Sequence, residues 1–354
     1  PVQLRPPAEN RLGPYRLLQV IGTGGMGTVH LAEVMEPSAG LAVGQLVAVK
    51  VIHPHLLEVD GFFKRFLREA QVGMQVDHEN VVRTFDCDAV LQDGQHHHFL
   101  VMEYVEGQTL RELLAELKRV PEDLCLRIAR EAAEGIAAIH SAGIVHRDLK
   151  PENLLITDEH LVKVMDLGVA HLCGEVDRLS RTDQFVGTLA YAAPEQLRGG
   201  HAEIDARADL YALGVLLYQL STGRRPLHDG DARSMIRRVL EDAPPRVAIH
   251  NPQLSAFFEE VVHTLLAKDP SDRFGSAREL LDVLEHRESS SWWRGRSRAL
   301  RVETHRPLRR IRIPRDSPLH GRAEELAHLR ALQDESADGQ GQVVLLVGEA
   351  GIGK

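Results

Sequence analysis

Two glycine clusters in this chain have the residue types and spacing to hold phosphate. "IGTGGMGTVH" (Ile21 to His30) sets Gly22, Gly24 and Gly27 in the pattern G-x-G-x-x-G, with Gly25 inside it. "VGEAGIGK" sets Gly348, Gly353 and Lys354 in G-x-x-x-x-G-K, a loop whose amides and lysine cradle a triphosphate. Taken alone the first cluster is weak, because glycines gather in hairpins for structural reasons. A dinucleotide loop would open a helix, whereas Gly27 is followed by the strand-like "TVHLAEV". A glycine hairpin instead lets backbone N–H groups approach phosphates with no Cβ in the way. Polar residues follow in series: Lys50 in "VAVK", Glu69 in "FLREA", Asp148, Lys150 and Asn153 in "HRDLKPEN", Asp166 in "VMDLGVA", and Glu195 in "AAPE". An isolated Asp or Asn caps a helix more often than it binds a metal, so any chemical role rests on the order of the whole series.

The elements that must position these residues fall into two halves. Residues 1–14 are Pro-rich, lack periodicity and read as a flexible lead. From Tyr15, short β-like runs ("YRLLQVIG", "TVHLAEV", "QLVAVKVIH") are joined by turn residues, which implies an antiparallel sheet. The stretch "GFFKRFLREAQVGM" puts Phe63, Phe66, Leu67, Ala70 and Met74 on one helical face. Two more strand-like runs follow, "NVVRTFDCDAVL" and "HHFLVMEYV". After Gln108 the pattern turns helical, with Leu124, Ile128, Ala132, Ile136 and Ile139 in one long repeat and Gly143 as its stop. Helices are also expected in "ADLYALGVLLYQLSTG", "ARSMIRRVLEDA", "PQLSAFFEEVVHTLLAKD" and "SARELLDVLEHRE". A cleft at the seam, near Glu103 to Gly107, is where a ligand belongs by default.

Composition narrows the class. The chain has 354 residues, 43% hydrophobic, enough for two domains or more. With no initiator Met and an end inside a motif, it reads as a piece of a longer polypeptide. Cys87, Cys125 and Cys173 are too scattered for a disulfide framework or zinc site, which favours a reducing cytoplasm. The longest apolar runs fall well short of the roughly 18 residues of a membrane span. The net charge of −9 conceals ten Arg and two Glu between Arg287 and Arg315. Such a Pro/Ser-punctuated basic stretch reads as a solvated linker. His96, His97 and His98 are consecutive beside a turn and cannot converge on one ion without a bend, so they read as an exposed hairpin.

The ordered series resembles the protein-kinase signature set: glycine loop, strand lysine, helix glutamate, H-R-D…N, D-F-G and A-P-E. The resemblance covers residues 15–286, and "GTGGMG", "FLREA", "VMEYVEGQTL" and "HRDLKPENLLI" are most similar to the eukaryotic-type serine/threonine kinases of bacteria. It implies an α+β, two-lobed fold, with a β-rich lobe over 15–104 and a helical lobe over 105–286. It further implies ATP and Mg²⁺, or Mn²⁺, as cofactors. Lys50 would bridge the α/β-phosphates, paired to Glu69, while Asp148 accepts the hydroxyl proton and Lys150 contacts the γ-phosphate. Asn153 and Asp166 would hold the metal. Ile21, Val29, Ala48 and Leu155 would enclose the adenine, Met102 would be the gatekeeper, and the backbone of Glu103 and Val105 would bond the base. Lys150 belongs to the Ser/Thr form of the loop. Glu195 would pair with Arg273, and Asp209 would brace the catalytic loop.

By the same resemblance Thr182, with Ser180 second, is the activation-segment phosphosite, received by Arg147, while Thr188 contacts the acceptor site. Three positions depart from the family: Leu167 replaces the D-F-G phenylalanine, and Gly73 and Thr84 are smaller than the usual apolar residues. An underfilled column between the lobes would follow, and with it a kinase dependent on activation. The rival is a pseudokinase module controlling an attached ATPase. Residues 317–354, with "HGRAEELAHLRAL" before "VVLLVGEAGIGK", resemble the start of signalling ATPases of the AAA/STAND type, cut after Lys354 and joined through the linker 287–316. Expected partners are protein substrates bearing Ser or Thr, the downstream ATPase domain, and a second copy for trans-autophosphorylation. Nucleic acid would enter only through further downstream domains.

Overall fold

The computed structural model describes residues 10–58, 62–92, 94–166, 189–198, 204–227 and 231–304, with helical backbone at 327–328 and 331–332. The chain divides into two units, Pro1–Leu308 and Arg309–Lys354. The folded architecture below belongs to the first.

Six strands form an antiparallel sheet in the order β1-β2-β3-β4-β6-β5: β1 Arg11–Leu12, β2 Tyr15–Thr23, β3 Gly27–Val34, β4 Leu46–Ile52, β5 Thr84–Gln92 and β6 Gln95–Glu103. The period-2 alternation of β4 explains its layering. Val47 and Val49 join Tyr15, Val34, Phe99 and Val101 in a core on one face of the sheet. Ala48 turns to the other face, with Ile52, Leu100 and Met102. The short helix α1 (Pro54–Leu57) and helix α2 (Phe62–Gly73) cover that second face, and α2 contributes Phe62, Phe66 and Ala70. The lead is structured at its end. Arg11 and Leu12 pair with Arg16 and Tyr15 across a hairpin, and Leu12 is buried in the first core. That one apolar residue among polar neighbours offered no periodicity to read.

The helical lobe opens with β7 (Gly107–Thr109) and α3 (Leu110–Glu116), whose start is fixed by a capping box between Thr109 and Glu112. Helix α4 (Glu122–Ser141) precedes the catalytic loop, and β8 (Leu154–Thr157) and β9 (Val162–Val164) follow it, pairing with β7 in the order β7-β8-β9. Helices α5 (Pro194–Leu197), α6 (Arg207–Thr222), α7 (Ala232–Glu241), α8 (Val247–His250), α9 (Ala256–Leu265) and α10 (Ala277–His286) complete the lobe. Helix α6 is buried almost all round, from Ala208 to Thr222, and is the centre of the lobe. Asp231, Ser255 and Ser276 cap α7, α9 and α10 through their side-chain oxygens.

The arginine-rich stretch corrects the sequence reading. Ser291–Thr304 is a helix, α11, and not a solvated linker over that span. Trp293 and Leu300 are buried in the lobe core, and Trp292 packs against it. Trp293 meets Phe257 edge-on at 5.6 Å, and Trp292 lies 5.1 Å from the Phe274 ring. Arg296 Nε donates to Glu260 Oε2 at 2.7 Å, a carboxylate that Arg246 also holds at 2.5 Å. Counting charge hid the apolar stripe on which the arginines are mounted.

Candidate active site

The catalytic loop is held from below by one carboxylate. Asp209, at the first turn of α6, accepts the backbone N–H of His146 at 2.8 Å and of Arg147 at 2.7 Å, and bonds the His140 ring at 2.8 Å. These bonds hold Arg147 in the left-handed region (φ +63°), a conformation that costs a residue with a Cβ about 1–3 kcal/mol. His146 is fully buried, and its ring bonds the Met165 carbonyl at 2.9 Å. That contact ties the loop to the strand end that carries Asp166, itself at φ +60°.

Beyond the loop, the Pro151–Asn153 turn folds three functional side chains onto one another. Lys150 Nζ donates to Asp148 Oδ2 at 2.7 Å. Asn153 Nδ2 donates to the Asp148 carbonyl at 2.7 Å and to Asp148 Oδ2 at 3.2 Å. With its amide nitrogen so engaged, Asn153 turns its oxygen the other way. The Met165 N–H bonds the Asn153 carbonyl at 3.0 Å, which seats Asp166 beside that turn.

Lys50 crosses from the sheet to meet Asp166. The lysine is 6% exposed, and its Nζ donates to Asp166 Oδ1 at 2.6 Å. Desolvation works to raise the Asp166 carboxyl, but Lys50, through charge and hydrogen bond, with His146 and Lys150 behind it, holds it below its ordinary value. Glu69 lies on α2, and its side chain is outside the described residues, so the Lys50–Glu69 pair is too.

The glycine loop joins β2 to β3, with register shifts between Leu17 and Gln19 and between Val20 and Gly22. Its tip closes through a Gly24 N–H to Gly27 carbonyl bond of 3.0 Å. Gly27 is obligatory for packing: a Cβ there would stand 2.2 Å from the Val51 carbonyl. Next to the loop, Ala48 and Met102 are buried, and Val29, Val105 and Leu155 pack on the same cluster. Ile21 is exposed at the mouth. The Glu103 N–H bonds the Arg83 carbonyl at 2.8 Å, and its carboxylate pairs with Lys163 at 3.0 Å.

The geometry therefore gathers a glycine hairpin, a buried lysine ion-paired to a carboxylate, and a second carboxylate with a lysine and an amide around it. It can neutralise polyphosphate charge, accept a proton and offer hard oxygen ligands to a cation. Residues 15–286 match the family model described as protein kinase domain. The chain belongs to the protein kinase family.

The kinase domain is 39% identical over 267 residues to the serine/threonine-protein kinase PknA of Corynebacterium glutamicum, covering 75% of this chain and 54% of that protein. It is 35% identical over 268 residues to the serine/threonine-protein kinase PrkC of Bacillus subtilis, covering 76% of this chain and 39% of that one. The chain thus spans about half the length of such relatives, or less. Among solved structures, the Mycobacterium tuberculosis PknI kinase domain superposes with a TM-score of 0.61 at 28% identity, covering 79% of this chain and 98% of that one. Residues 15–286 are a bacterial-type serine/threonine protein kinase domain, an ATP-dependent phosphotransferase.

Elsewhere in the kinase, Arg273 sends its guanidinium to both oxygens of Glu195, at 2.6 and 2.8 Å, with both side chains buried. Gln196 Nε2 bonds the Arg147 carbonyl at 3.0 Å. Leu167, Ser180, Thr182, Thr188, Gly348, Gly353 and Lys354 lie outside the described residues. Gly73 ends α2, buried, and Thr84 opens β5, half-buried. His96, His97 and His98 lie along β6, with the His98 ring 4.5 Å from that of Phe63. Among the described residues no three or more metal-ligating side chains converge. No described helix is long and apolar enough to cross a membrane.

Two site contributors escaped the sequence reading. Met165 packs into the cluster around Ala48 and Met102, and its place immediately before Asp166 was the available signal. Lys163 ties β9 to the Glu103 hinge; its alternation with the buried Val162 and Val164 marks it as facing out of the lobe core.

Proposed function

We propose that the protein transfers the γ-phosphate of ATP to serine and threonine hydroxyls of other proteins. The observation that carries this is the arrangement of Lys150 and Asn153 on a single oxygen, Oδ2, of Asp148. Asp148 then has Oδ1 to accept the acceptor hydroxyl's proton, while Lys150 counters the charge that shifts toward the transferring group. Lys50 neutralises the α/β-phosphates from the sheet side, and the glycine-loop amides bond phosphate oxygens from above. Ile21, Val29, Ala48, Leu155 and Met102 surround the base, with the Glu103 and Val105 backbone to bond it.

The donor set fits magnesium: one carboxylate (Asp166), held ionised, and one amide oxygen (Asn153), both hard, with phosphate oxygens to complete the shell. Asp166 and Asn153 would hold that ion, which would supply charge neutralisation to the polyphosphate. Arg147 Nε is buried without a hydrogen-bond partner among the described residues. That orphan supports phospho-Thr182, or phospho-Ser180, as the anion that orders the activation segment. Thr188 is assigned to the acceptor end on the family pattern.

The proposal extends to the rest of the chain on sequence pattern. Residues 317–354 begin an AAA/STAND-type ATPase domain, the protein works in the cytoplasm, and a second copy serves trans-autophosphorylation. Incubation of the intact chain with γ-labelled ATP, Mg²⁺ and a Ser/Thr protein substrate tests the central reading. Transfer is expected from wild type and not from Asp148→Asn or Lys50→Met. Equal labelling by Asp148→Asn would sink it.

A further inference from the structure

We propose that His53 is a positioning residue that clasps the glycine loop to the strand carrying Lys50, and so sets the nucleotide's phosphates in register with that lysine. The inference rests on the kinase reading of this site. His53 lies three residues beyond Lys50, between the end of β4 and α1. At the head of α1 its side chain makes no capping bond. Instead the ring reaches back over the loop, with Nε2 3.1 Å from the Gly24 carbonyl. The His53 backbone N–H meanwhile donates to the Met26 carbonyl at 2.9 Å. One residue therefore holds two carbonyls of the loop tip, on either side of Gly25.

The consequences follow from the backbone's alternation. With the Gly24 and Met26 carbonyls drawn toward His53, the tip cannot turn them toward phosphate, which would repel them. Among the described residues no backbone group bonds the Gly25 or Met26 N–H, so both remain available to phosphate oxygens. A Cβ on Gly24 or Gly25 would meet nothing within 4 Å. Packing thus does not fix the tip at those two positions, whose place depends on the tethers they make, whereas Met26 beside them packs on the cluster around Ala48 and Met102. The third tether is Gly27, seated on the Val51 carbonyl one residue past Lys50. All three lead into β4 or its end.

A carbonyl only accepts, so His53 must carry a hydrogen on Nε2. The His55 ring stacks on that of His53, with centroids 5.6 Å apart and planes at 19°, and so backs the ring that bonds Gly24.

The test uses the intact chain, with steady-state kinetics and equilibrium binding of a fluorescent ADP analogue. His53→Ala is expected to raise the KM for ATP and the ADP Kd by about 2–10-fold, the worth of one net hydrogen bond. The KM for the protein substrate and the melting temperature should stay at wild-type values. His53→Gln, whose amide Nε2 can donate from a similar distance, should restore ATP affinity. An unchanged nucleotide affinity in His53→Ala overturns the clasp, as does a loss that Gln fails to restore or that comes with a lowered melting temperature. Wild-type protein that binds nucleotide without transferring phosphate would overturn the kinase reading and leave the clasp tested by binding. Wild type that binds no nucleotide overturns both.

Discussion

Lys50 Nζ and Asp166 Oδ1 stand 2.6 Å apart, joining a strand of the sheet to the end of β9 across 116 residues of sequence. The pair brings together the group assigned to the phosphates and the group assigned to the metal. Lys50→Met should lower kcat on the order of 10²-fold or more, the usual cost of removing one preorganised electrostatic contact. The pH dependence follows from the direction of the Asp166 shift. Its folded value is lowered below the ordinary 3.8, so the pair's stabilisation is complete above that value and is lost as pH falls through the lower folded one. The contribution is therefore constant across neutral pH. Asp166→Asn should abolish transfer and flatten the acid limb of stability below about pH 4, as measured by urea unfolding over a pH series.

Asp209 accepts from two consecutive backbone amides and from His140. Asp209→Ala would orphan two N–H donors at the base of the catalytic loop and free Arg147 from its left-handed conformation. At about 1–3 kcal/mol for each stranded donor, a loss of about 2–6 kcal/mol is expected. Asp209→Asn keeps one acceptor oxygen and should lose less. Chemical denaturation ranks the two variants, and kcat should fall for both, because the same amides place Asp148.

The Glu195–Arg273 pair is buried and bidentate, and Arg273 also lies 5.0 Å over the Tyr211 ring. Glu195→Gln leaves a buried guanidinium without its counter-charge, which should cost about 3–5 kcal/mol. The double variant Glu195→Gln/Arg273→Met removes both charges and should recover part of that loss. A double variant no more stable than Glu195→Gln would show that the arginine's carbonyl contacts, and not its ion pair, hold the segment.

How far the site was legible depended on whether its residues are set by order or by contact. Lys50, Asp148, Lys150, Asn153 and Asp166 each sit in a short motif, and phosphate chemistry constrains which residue types occupy those places. Alternation in "LVAVKVI" likewise put Lys50 on the face opposite Val47 and Val49. His53 was illegible because its role arises from the reach of a side chain across to Gly24, which no spacing encodes. Leu12 was missed because a two-residue strand has no period. The arginines of α11 masked a helix because net charge averages over faces, whereas Trp293 and Leu300 recur at seven residues, two turns on one side.

That last helix makes a prediction about where the kinase's folded unit ends. The family match stops at residue 286, yet α11 lays Trp292 and Trp293 on Phe257 and Phe274 and sends Arg296 to the buried Glu260. Phe274 follows directly on Arg273, so the aromatic cluster backs the residue that holds Glu195. Trp293 is 9% exposed, and its truncation to Ala in the intact chain should cost about 3–5 kcal/mol. Arg296→Ala leaves Glu260 with Arg246, so its cost should be smaller, about 1–3 kcal/mol for one charged hydrogen bond. If α11 were a solvated linker, both variants would melt with wild type. The expected order is wild type, then Arg296→Ala, then Trp293→Ala, read from one urea series at constant salt.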